Sequence, residues 1–266
     1  MRHAILIPSL LALAVVLAPA PAAALKKVPY PAIKIEVPAP FKGDAAFEAM
    51  RKAFAAAVDQ KDVAGLAALV APNFTWTAAG EPSEEFDGKR DALHNFKVAF
   101  GFREAGKSAD GETEIGPQWD LLAAFAADPG LAQEPGSPLV CGPVTAKLVD
   151  RAAFEQAMEK VDEDDDPAEW VYFVDEATLT GTPTGGSSVG KFAKTAMPAV
   201  SLYPDPAAVK PPAQPKPVTH VELLLPSGKT GWVTMDKVRP LLIDRLCYAR
   251  SANGDWKIAG FSQSDY

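Results

Sequence analysis

The chain has 266 residues, 48% hydrophobic and 23% charged, the proportions of a globular protein with room for one large or two small domains. Its formal net charge of -8 excludes a general nucleic-acid binder, which needs clustered lysine and arginine against phosphate. The 25 prolines favour loops and rigid linkers over long helices and central strands.

At the amino terminus Met1-Arg2-His3 is basic, and an apolar run follows from Ala4 to Ala18, broken once by Pro8. Ala22-Ala23-Ala24 offers a small-residue cleavage site before Leu25-Lys26-Lys27 turns polar. Residues 1–24 therefore read as a secretory signal peptide; the apolar run is too short for a comfortable membrane anchor. No later stretch is long and apolar enough to cross a bilayer, so no transmembrane span is expected after signal cleavage. The mature chain is expected to be periplasmic or secreted. In that oxidising setting Cys141 and Cys247 have one possible intramolecular pairing. The other reading is two separate buried thiols. Two cysteines so far apart, in a chain with few histidines, do not suggest a zinc site, and no metal or cofactor is expected.

Residues 25–43 form a Pro-rich extended arm in which Ile33, Ile35 and Val37 alternate like a half-buried strand. Asp44 is a good N-cap for a first helix, with Phe47, Met50, Phe54 and Val58 at helical spacing. Asp62 caps a short second helix carrying Leu66, Leu69 and Val70, stopped by Pro72-Asn73. Phe74-Thr75-Trp76 reads as a short strand. A third helix is expected over 89–100, a fourth around Trp119, Leu122 and Phe125, and another over 151–160. From Trp170 onward, β-branched and aromatic runs alternate with Gly and Pro turns. Strands are expected at 170–174, 188–194, 199–203, 218–225, 229–234, 244–250 and 255–261, with hairpin turns at Pro226-Ser227-Gly228 and Asn253-Gly254. The expected fold class is α+β. A mostly helical domain spans 44–169, a small β-barrel 170–243, and a terminal β-hairpin 244–266.

Three blocks in the second half carry a resemblance. Leu179-Thr180-Gly181-Thr182-Pro183 matches an opening strand and turn, Ser188-Val189-Gly190-Lys191-Phe192 a second element, and Ser227-Gly228-Lys229-Thr230-Gly231-Trp232-Val233 a late hairpin. Together residues 179–241 resemble a bacterial SH3-type domain of exported proteins, although the usual Arg of the first turn is absent. The resemblance implies an SH3-like barrel whose aromatic groove holds an extended peptide, with Tyr203 and Trp232 as the candidate residues. The other reading of Trp232 is a buried sheet-packing residue. The partners implied are an envelope protein, a peptide or a peptidoglycan fragment.

The first half is similar, more weakly, to the opening of cone-shaped α+β domains such as the SnoaL-like proteins. The matching features are the helix, Asp62, Leu66, Leu69, Phe74-Thr75-Trp76, Gly88 and the next helix; Gly254-Asp255-Trp256-Lys257-Ile258 resembles their last strands. The middle strands of that fold are not visible in the sequence. This resemblance implies an enzyme or small-ligand carrier with a pocket lined by Trp76, Asp91 and His94. It also implies that the last hairpin folds back onto the N-terminal domain, where a Cys141–Cys247 bridge would tie the two.

No catalytic constellation stands out. The histidines beyond the leader are His94 and His220, no serine sits in a nucleophile elbow, and Cys141 matches no cysteine-hydrolase signature. The acidic run Asp162-Glu163-Asp164-Asp165-Asp166 has Pro167 where a calcium loop needs glycine and Phe173 where it needs glutamate, so it reads as a solvated loop. Gly185-Gly186-Ser187-Ser188-Val189-Gly190-Lys191 lacks both the spacing and the following helix of a phosphate loop.

Overall fold

The computed structural model describes residues 26–78, 81–83, 85–102, 116–161, 169–193, 196–197 and 219–264. The leader 1–24, the acidic run Asp162–Asp166, the strand expected at 199–203 and the candidate Tyr203 lie outside these residues.

The arm contributes β1 (Ile33–Glu36), which buries Ile33 and Ile35 and exposes the residues between them. Asp44 then caps α1 (Ala45–Asp59): its carboxylate accepts the Phe47 N–H at 2.9 Å, and the helix buries Phe47, Met50, Phe54, Ala57 and Val58 on one face. After α2 (Val63–Leu69) the chain runs straight into β2 (Val70–Ala78), which passes through Pro72 and is longer than the three-residue strand expected. Next come β3 (Glu81–Pro82), α3 (Ala92–Ala99), α4 (Trp119–Ala127), β4 (Ala132–Gln133), β5 (Val140–Gly142), β6 (Lys147–Leu148) and α5 (Arg151–Val161). The remainder is β7 (Val171–Phe173), β8 (Ala177–Thr182), β9 (Gly185–Phe192), β10 (Ala196–Met197), β11 (His220–Leu224), β12 (Thr230–Thr234), β13 (Val238–Pro240), β14 (Arg245–Arg250) and β15 (Trp256–Gln263).

A six-stranded sheet in the order β3-β2-β15-β14-β5-β4 organises the first body. Its one parallel pair is β2 with β15; the others are antiparallel. The terminal hairpin thus occupies the middle of a sheet whose other four strands come from residues 70–142. The expectation of a mostly helical domain over 44–169 is not confirmed, since strands β2 to β6 lie among its helices. Helices α1 to α4 cover one sheet face, and Phe47, Phe54, Phe74, Phe96, Phe100, Phe125, Tyr248 and Phe261 fill the space between. Cys141 and Cys247 stand opposite each other on β5 and β14 and form a disulfide that links positions 106 apart in sequence.

The second body uses β7 to β13. Strands β11-β12-β8-β9 form a four-stranded antiparallel sheet, and β13 pairs with β7 as a separate ladder. The closed SH3-like barrel expected over 170–243 is not formed among the described residues. Closure requires the end strands to bond to each other, and β9 and β11 share no register pair. The inward face buries Leu179, Val221, Leu223 and Val233 against Val171 and Phe173.

The Pro-rich arm straps the two bodies together. β1 lies between β10 and β6, Tyr30 packs edge-on against Trp170 with ring centroids 5.6 Å apart, and the Tyr30 hydroxyl donates to the Leu224 carbonyl at 3.1 Å. Pro29 sits so close to the hairpin turn of β11 and β12 that a Cβ on Gly228 would lie 2.9 Å from its nitrogen; Gly228 also has a φ of +76°. At the arm's other end Phe41 packs on Phe47 and Trp256. Among the described residues no helix is long and apolar enough to cross a membrane.

One pH dependence follows from the core. Burial pushes the Tyr248 phenol up to about 12, opposed by the neighbouring Arg51. The folded state therefore keeps a proton that the unfolded chain releases near pH 10, so stability falls as pH rises between these two values. The expected loss is on the order of 2 kcal/mol, read from urea midpoints between pH 9 and 12, and Tyr248→Phe should flatten it. A wild-type profile as flat as that of the variant would refute this assignment.

Candidate functional site

β12 alternates strictly. Gly231 and Val233 face the core and are buried, whereas Thr230, Trp232 and Thr234 face outward and are half-buried. The register sets Trp232 directly across from Thr180 on β8 and from Glu222 on β11. Directly opposed residues share a sheet face with Cβ atoms about 5 Å apart, so Thr180, Trp232 and Glu222 form one outward row.

Around Thr180 and Trp232 of this row lies an open groove of about 650 Å³, lined among others by Glu176, Thr178, His220 and Lys237. The turn from Pro183 to Gly185 closes one part of its rim. Lys237 Nζ is 2.9 Å from Asp175 Oδ2. The hydrogen bond and charge of that carboxylate hold the ammonium above its usual pKa, so it stays charged and paired. The Thr180 hydroxyl donates to the Thr182 carbonyl at 2.8 Å, and His220 Nδ1 is 3.0 Å from the Thr219 hydroxyl. Glu176 is exposed and Glu222 half-buried, and among the described residues neither carboxylate has a hydrogen-bond or ion-pair partner. The groove thus combines an indole surface, hydroxyls and the Glu176 carboxylate, with the Glu222 carboxylate beside Trp232 outside the lining. That set can stack on a flat or cationic group and bond to polar ones.

The other sequence candidates sit elsewhere. Trp76 is buried in the first core, with its Nε1 donating to Gln263 Oε1 at 3.3 Å. Asp91 caps α3, its carboxylate accepting the backbone N–H of His94 at 2.7 Å rather than the imidazole. The Phe261 ring packs on Trp76 and on Phe100, which in turn meets Phe96 and through it Phe74. A second groove, of about 360 Å³, lies over α5 and takes in Leu148, Phe154, Met158, Leu241 and Leu242. Neither groove includes Trp76, Asp91 or His94.

Sequence reasoning found Trp232 but not Glu176, Thr178, Thr180 or Glu222. The alternation His220-Val221-Glu222-Leu223 already places Glu222 outward. What it lacks is the register that sets Glu222 across from Trp232. Comparison of the chain with protein-family models, with curated proteins and with solved structures returns no match.

Proposed function

We propose that this is an exported, non-catalytic binding or scaffold protein of the cell envelope, which docks a peptide, cell-wall fragment or protein partner through an SH3-type unit within residues 170–243. The observation that carries the proposal is Trp232, half-exposed at the floor of an open groove instead of buried in the sheet. Half-buried aromatic residues set in grooves are the usual anchors of binding sites. Export is supported by the Cys141–Cys247 disulfide, because such bonds persist in oxidising compartments, and by the leader-like residues 1–24.

The test is a pull-down with the mature protein against envelope extract and purified peptidoglycan, comparing wild type with Trp232→Ala. Capture by the variant is expected to fall about 30-fold, the effect of losing an anchor residue. Equal capture by a folded Trp232→Ala variant would sink the proposal.

A second function, an enzyme or small-ligand carrier on a cone-like N-terminal domain, is favoured by one observation: β2 and the final hairpin share a sheet. It ranks behind the first because aromatic rings occupy the space between that sheet and its helices.

A further inference from the structure

We infer that the Trp232 groove selects a lysine-type primary ammonium carried on an extended peptide. The inference rests on the proposed docking role of this groove and names the chemistry of its occupant.

Three observations point to a cation. The Trp232 indole is half-exposed, and an indole face is the best aromatic partner for an ammonium. Glu222 stands directly across from it on β11, and Glu176 lines the same groove; neither carboxylate has a partner among the described residues. Lys237, the cation in the lining, is already held by Asp175, so it leaves the Glu176 charge uncompensated. An anionic ligand would be repelled by Glu176 in the lining and by Glu222 beside the indole. A neutral ligand would gain no charge attraction from either.

The groove also suits a chain segment better than an isolated amine. Its lining reaches from the β8–β9 turn at Pro183 and Thr184, past Trp232, to Lys237 beyond β12. The hydroxyls of Thr178, Thr184 and Thr234 are spread along it and can bond to peptide groups on either side of the ammonium.

The experiment follows the indole N–H resonance of Trp232, identified by its absence in Trp232→Phe, during titration of the mature protein. The ligands are a blocked Gly-Lys-Gly peptide, its Nε-acetyl counterpart, a blocked Gly-Glu-Gly peptide and free butylamine. The lysine peptide is expected to shift the resonance saturably and more tightly than butylamine, with the acetylated and acidic peptides at least about tenfold weaker. Glu176→Gln with Glu222→Gln should remove that preference, and Glu176→Lys, at an exposed position where folding is not at risk, should turn it toward the acidic peptide. Equal binding of the lysine and acetyl-lysine peptides would overturn the charge selection while leaving the docking role in place. Butylamine binding as tightly as the lysine peptide would overturn the peptide context. No shift with the lysine peptide overturns the inference altogether, and the Trp232→Ala pull-down then decides separately whether the groove docks anything.

Discussion

Replacing Cys141 and Cys247 together by alanine is expected to destabilise the protein by about 4 kcal/mol, because the bond closes a very long loop in the unfolded chain. The bridged residues are 106 positions apart, and the whole second body lies between them. In the folded protein β5 and β14 are already neighbours, so the bond adds little that the ladder does not hold. In the unfolded chain it removes the freedom of everything from Cys141 to Cys247. The effect should therefore appear as a lower urea midpoint together with a steeper denaturant dependence, since the uncrosslinked chain exposes more surface. Reduction of the wild type under unfolding conditions should reproduce it. A double variant within about 1 kcal/mol of wild type would show that the bond does not constrain the unfolded state.

Arg51 is expected to give the second large effect. Its guanidinium donates to the carbonyls of Phe125, Ala126 and Asp128 at 2.8–2.9 Å and to the Tyr248 hydroxyl at 2.6 Å. It also sits 5.5 Å from the centroid of the Tyr248 ring. The three carbonyls belong to the end of α4, where the helix leaves acceptors unpaired and its dipole is negative. One side chain thus ties α1, α4 and β14 together. Arg51→Ala would orphan all four groups and should cost about 3 kcal/mol, read from chemical denaturation. Arg51→Lys should recover only part of this, because an ammonium has no planar fork. Arg51 also opposes the burial that raises the Tyr248 phenol, so in Arg51→Ala the alkaline loss of stability should still begin where the unfolded chain releases the proton but continue to higher pH. A loss below about 0.5 kcal/mol would show that water satisfies these groups as well as the arginine does.

Much of the local structure was legible from residues close in sequence. The capping aspartate Asp44, the helical spacing of Phe47, Met50 and Phe54, and the Asn253-Gly254 turn all act within a few positions, whereas Asp62, expected as a cap, makes no side-chain cap bond. Strand β9 begins three residues before its expected start, and α3 begins three residues late. At α3 the Asp91 carboxylate caps the helix, so its first turn starts after Asp91 and not at Lys89. Strands β4 and β5 escaped notice because they are two and three residues long, too short to show alternation. The candidate groove was half legible. Trp232 announced itself in a hairpin block, while Thr180 in the lining and Glu222 beside it are set next to Trp232 only through strand pairing with positions 52 and 10 residues away.

The sequence by itself determined the helices and hairpins, the α+β character, and which face of each strand is apolar, because these depend on period and on turn chemistry over short spans. Only the tertiary structure decided that the last hairpin lies in the centre of the first sheet, that β8 through β13 remain an open arrangement among the described residues, and that Trp232 faces a groove. Those outcomes rest on contacts between residues far apart along the chain. A strand's own pattern specifies its buried face but not the partner that will lie beside it.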